Sequence, residues 1–185
     1  MHGKVYAAVL RVLEEAYPCD LSFEEISSKI QAAPEVARIA MEQLAGEGLA
    51  FQSRTVSGTR LFTLDKVQLG LKTFNEGKFF EAHEILEDVW RNEEGPPKNF
   101  YRGLINLGVG FAHWQNRKPR AATSVLTAAK ELLETYAPSY DGVEVAPLLT
   151  QIERSIDVIM RGADESRKAK ISVPTIERTV KHRPT

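Results

Sequence analysis

FNEGKFFEAHEILEDVW, residues 74–90, packs aromatics, one histidine and several acids into about four and a half helical turns. Gly77 interrupts an apolar-periodic run, so the spacing predicts two helices, over 69–76 and 79–90, joined by a tight turn. In the second helix Phe79, Ala82, Leu86 and Val89 recur at helical spacing and should face a core. His83, Glu87 and Trp90 stand at i, i+4 and i+7 and share a neighbouring stripe, while Glu84 and Asp88 form a second acidic stripe about 100° round the helix. A His and a Glu one turn apart beside a core face are either a hydrogen-bonded structural pair or the start of a site.

Working outward, the downstream stretch FYRGLINLGVGFAHWQ, residues 100–115, is apolar and glycine-bearing, with Gly103, Leu107 and Gly110 allowing close helix approach. Residues 121–136 form an amphipathic helix, 138–142 a turn, and Pro147 opens a last helix to about Arg161. Gly70, Ala82 and Leu86 recur forty residues on as Gly110, Ala122 and Leu126, a pattern resembling stacked helical hairpins of tetratricopeptide type, at a longer period. Residues 67–160 are therefore expected to be an all-α bundle of about five helices. From Arg161 to the end, seven basic residues face three acidic ones, a net +4, and 161–185 reads as a basic tail, mobile or docked on the surface.

Upstream, residues 4–17 have helical periodicity that Pro18 closes. Ser22-Phe-Glu-Glu25 is a capping box that opens a second helix, and Pro34 suits the first turn of a third. Then AFQSRTV and TRLFTL flank Ser57-Gly58, a hairpin signal. Three helices followed by a hairpin resemble a winged helix-turn-helix domain over residues 4–64, giving an expected first domain of 1–66 and a chain that is mainly α. The resemblance implies DNA as a partner, carried by Arg38, Arg54 and Arg60. Charge argues the other way: residues 1–66 hold seven bases against nine acids, a net −2. The third helix carries Arg38 among Glu35, Glu42 and Glu47, where DNA affinity needs phosphate neutralisation. Protein contacts or homodimerisation are the other reading of this module.

The chain of 185 residues, 43% apolar and 26% charged with a net charge of −1, offers no global attraction to nucleic acid or anionic membrane. The single cysteine, Cys19, cannot form an intrachain disulfide, and no run reaches the roughly 18 apolar residues of a membrane span. No signal-peptide core stands at the N-terminus, where Arg11, Glu14 and Glu15 interrupt it, and a cytoplasmic protein is expected.

FNEGKFFEAHEILEDVWR, FYRGLINLGVGFAHWQNRKPRAA and LLETYAPSYDGVEVAPLL, in that order, resemble domain-of-unknown-function family 309 over about residues 68–160. The resemblance implies a small helical bundle with motif positions at Phe74, Gly77, His83, Glu84, Glu87, Trp90, Gly103 and His113, and no established activity. Residues 116–119, NRKP, depart from the Gly-Asn that family members more often carry.

Two functions stay open. One is a non-enzymatic regulatory or interaction protein, with a winged helix and a helical ligand- or partner-binding domain. The other is a metal-dependent, hydrolase-like enzyme. His83-Glu-Ile-Leu-Glu87 has the form H-E-x-x-E, close to the zinc-protease H-E-x-x-H, with Glu84 near and His113 as a third ligand from a facing helix. Such donors suit divalent zinc, manganese or iron. In the structural alternative His83 and Glu87 bond each other and the edge of Trp90 or Tyr101, contributing about 1.5–3 kcal/mol.

Overall fold

The computed structural model describes residues 2–162 and 171–179, which fall into two compact units divided between Gln68 and Leu69. Among the described residues there are eight helices and two small antiparallel sheets. None of these helices is long and apolar enough to cross a membrane.

The first unit runs α1 (His2–Ala16), β1 (Leu21–Ser22), α2 (Phe23–Ile30), α3 (Pro34–Gly46), β2 (Ala50–Val56) and β3 (Thr59–Leu64). The capping box forms as the sequence predicts: Glu25 N–H donates to Ser22 Oγ at 3.2 Å, and Ser22 N–H donates to Glu25 Oε2 at 2.8 Å. Pro34 opens α3, where a missing amide costs nothing. The β2–β3 hairpin turns through Ser57 and Gly58, both at positive φ, the two-residue turn whose twist matches paired strands. The sheet order is β1-β3-β2. Val9, Leu13, Ile26, Ala37, Leu44 and Leu49 are fully buried and form the core under this sheet.

The described residues of the second unit form five helices. They are α4 (Lys66–Asn75, its first three residues in the first unit), α5 (Phe79–Asn92), α6 (Pro97–Gln115), α7 (Pro119–Glu134) and α8 (Val145–Gly162). The forty-residue echo is a structural repeat. In α4–α5, a methyl group built on Gly70 would stand 2.7 Å from Leu86; in α6–α7, one on Gly110 would stand 2.6 Å from Leu126. Ala82 and Ala122 are both fully buried.

The turns repeat too. Gly77 N–H donates to Phe74 O and Lys78 N–H to Thr73 O; forty residues on, Arg117 N–H donates to Trp114 O and Lys118 N–H to His113 O. Both are Schellman caps, with the left-handed residue at φ 78° for Gly77 and 57° for Arg117. Thus NRKP keeps the turn conformation of the first hairpin without its glycine. The rings of Phe74, Phe79 and Phe111 pack at 5.0–5.8 Å between centroids. Burial of each ring is worth about 1.5–3 kcal/mol.

One feature departs from expectation. Residues 138–142 are more than a turn: β4 (Ser139–Tyr140) and β5 (Val143–Glu144) pair around Asp141 and Gly142, both at positive φ. Of the tail expected to be mobile or docked on the surface, residues 171–179 lie against the second unit with Pro174 and Ile176 buried, after α8 ends at Gly162. Of the expected basic tail, 163–170 and 180–185 lie outside the described residues.

Candidate functional site

His83, Glu87 and Trp90 share one half-buried stripe of α5, as their spacing requires. They do not bond one another as expected. The short His83 bond stays within its own helix: a carbonyl can only accept, so His83 Nδ1–H donates to Phe80 O at 2.5 Å. The Phe80 ring, 60% exposed, meets the imidazole edge-on at 4.8 Å. The backbone at His83 packs on Gly108 of α6, where an added methyl group would lie 3.2 Å from Phe79 O and 3.5 Å from His83 Cβ. Glu87 turns instead to Arg91, whose Nη2 lies 2.6 Å from Glu87 Oε2 and whose Nη1 lies 3.3 Å from Asp88 Oδ1. Glu84 is exposed.

Trp90 carries two cations, Lys98 Nζ 4.7 Å and Arg102 Cζ 5.8 Å from the ring centroid. Lys98 Nζ also donates to Glu93 O at 3.1 Å. His113 is half-buried in the last turn of α6, five residues and so about 7.5 Å along the axis from Gly108. Its carbonyl closes the Schellman turn. Among the described residues, no three His, Cys, Asp or Glu side chains are grouped to hold a metal ion. The candidate ligands His83, Glu87 and His113 therefore form no such group.

In the first unit, Arg38 lies between two carboxylates on α3, Nη2 at 3.0 Å from Glu35 Oε2 and Nη1 at 2.9 Å from Glu42 Oε1. Its hydrogen bond to Glu35, then the charge of Glu42, hold its guanidinium above the ordinary value. Arg54 Nε lies 3.0 Å from Asp20 Oδ2. Arg60 is exposed and, with Arg38, lines a cleft of about 170 Å³ floored by Phe23, Met41, Phe51 and Phe62. Beside Arg38, Val36 and Ile39 are exposed, at 37% and 46%.

A further cluster was not legible in the sequence. Asp141, in the β4–β5 turn, accepts from Tyr101 OH at 3.3 Å and pairs with Arg178 at 2.9 Å. Burial, followed by the charge of Asp141, pushes the Tyr101 hydroxyl well above its ordinary value. Asn75 bonds the backbone of Ile176, 101 positions away.

Residues 67–125, from α4 into α7, match the family model described as Domain of unknown function (DUF309). An uncharacterised protein of Aquifex aeolicus (strain VF5) is 30% identical over 83 residues, 43% of this chain and 24% of that protein. The chain thus matches about a quarter of that relative's length. No solved structure matches.

Proposed function

We propose that this chain, which joins a DUF309 domain to a further N-terminal unit, is a non-enzymatic interaction protein whose first unit is a winged helix that docks a protein through α3. The order of its elements and the β1-β3-β2 sheet support the winged-helix reading, with residues 1–66 and 67–160 as the two domains. The observation that carries the choice of partner is the Glu35–Arg38–Glu42 cluster. A cation held by two carboxylates has little to offer a phosphate, and the same helix exposes Val36 and Ile39. Arg54 is similarly engaged by Asp20. Among the described residues, no group of three donors supports a metal-dependent reaction at His83.

The test is fluorescence anisotropy of the full chain with duplex DNA at about 50 mM salt, where phosphate contacts are strongest. No saturable binding is expected. Binding that Arg54→Ala with Arg60→Ala weakens, together with a flatter salt dependence, would return the module to DNA. In parallel, the Val36→Asp, Ile39→Asp double variant should fold normally, because both side chains are exposed. It should lose in affinity capture the partner that the wild type retains; equal retention by both would remove α3 from the contact.

A further inference from the structure

Residues 171–179 lie against the second unit, and from residue 173 to residue 179 their environment alternates along the chain. Pro174 and Ile176 are buried and the Arg178 side chain is 11% exposed, whereas residues 173, 175 and 177 face out. Period two is the signature of a strand read from one side.

The surface that receives them reads backbone first. Asn75 Nδ2 donates to Ile176 O at 2.8 Å, and Ile176 N–H donates to Asn75 Oδ1 at 2.9 Å. One side-chain amide thereby satisfies both main-chain groups of one residue, as a neighbouring strand would. Arg178 forms an antiparallel bridge with Val143, and Thr179 N–H donates to Gly142 O at 2.9 Å. Gly142 must lack a side chain: an added Cβ would stand 2.2 Å from Thr179 O. Ser155 Oγ, from α8, donates to Gln151 O at 2.9 Å within its own helix and lies 3.3 Å from Ser172 O. Side-chain selection is then added at one end, where Arg178 Nε donates to Asp141 O at 2.9 Å and Nη2 lies between the two Asp141 carboxylate oxygens.

We propose that this groove is a peptide-recognition site for an extended Pro-x-Ile-x-Arg segment of a partner protein, and that the chain's own residues 171–179 are its resident intramolecular occupant. Backbone pairing to a sheet edge with alternate side chains in pockets is a general mode of peptide capture, and an Arg fits a carboxylate in fixed geometry. A tethered occupant competes at high effective concentration, so it sets a threshold that a partner segment must exceed. The site lies in the second unit and stands apart from the α3 reading.

The test uses the full chain and a labelled peptide, ISVPTIERTV, copied from residues 171–180. Arg178→Ala weakens the internal occupant while the peptide keeps its arginine. This variant should bind the peptide saturably, at least about tenfold tighter than the wild type. Adding Asp141→Ala should abolish the gain, as should a peptide with alanine in place of its arginine. Absence of binding by a folded Arg178→Ala protein overturns the proposal.

Should that variant fail to fold, the wild type is examined with millimolar peptide. The Ile176 and Thr179 amides should lose hydrogen-exchange protection as the segment is displaced; unchanged protection overturns the proposal. A wild-type dimer in sedimentation that Asp141→Ala dissolves would assign the groove to a second copy of this chain, and would equally overturn it.

Discussion

At single positions, the two Schellman turns offer an internal comparison. Gly77 adopts φ 78° without penalty, while Arg117 holds φ 57° with a Cβ that crowds its own carbonyl. Arg117→Gly should therefore stabilise the fold by about 0.5–1 kcal/mol, the left-handed strain relieved less the entropy that glycine loses. Gly77→Ala should cost about 0.5–1 kcal/mol by the same difference. Both are read from the midpoint of denaturant unfolding at constant slope.

Tyr6 offers a pH-dependent case. Burial, then its 2.8 Å hydrogen bond to Glu47, pushes its hydroxyl from the ordinary 10.0 up to about 12. A raised folded value gives stability fully present below pH 10 and lost as pH rises toward 12, because the unfolded chain ionises first. Tyr6→Phe should flatten that decline in a stability series across pH 10–12. His83 is a more modest anchor than its spacing suggested. Its bond runs to the Phe80 carbonyl of the same helix, so His83→Ala should cost about 0.5–1.5 kcal/mol, measured the same way.

Among elements, the closest approaches are made by glycine on one helix and leucine on the next. Gly110→Ala forces a methyl group to within 2.6 Å of Leu126 and should destabilise by about 1–3 kcal/mol. Leu126→Ala alone should cost about 2–5 kcal/mol. The double variant should cost less than the sum by about 0.5–3 kcal/mol, since each change accommodates the other. Strict additivity in this cycle would deny the contact. This level of organisation was largely legible in the sequence. Glycine recurring with alanine and leucine at an interval of forty marked the helix pairs, and the capping box and Ser57-Gly58 marked their elements because each is decided locally. The β4–β5 pair was not legible: two-residue strands are too short for an alternating pattern.

Across the whole molecule, residues 171–179 meet side chains far away in sequence. Asn75 and Ile176 are 101 residues apart, and neither carries a local signal of the other. In sequence Arg178 is one charge of a basic tail; its pairing with Asp141, 37 positions away, has no local signal. The same reason explains the candidate site. Spacing on one helix placed His83, Glu87 and Trp90 on one stripe, but their partners depend on rotamers and on residues such as Arg91, Lys98 and Arg102 that compete for them. Asn75→Ala removes both bonds to Ile176 and should cost about 1–3 kcal/mol. Amide hydrogen exchange should show the loss of protection concentrated in residues 171–179; a uniform loss across the second unit would mean that the segment is no separate element.

The matched turns carry one more consequence. Residues 76–78 and 116–118 close their helices with the same bonds at the same register, so the connectors are interchangeable parts. Rewriting Asn116-Arg117-Lys118 as Glu-Gly-Lys would leave the second hairpin with its partner's hinge. The two halves of the helical unit would then differ in what their faces carry and no longer in how their chain turns.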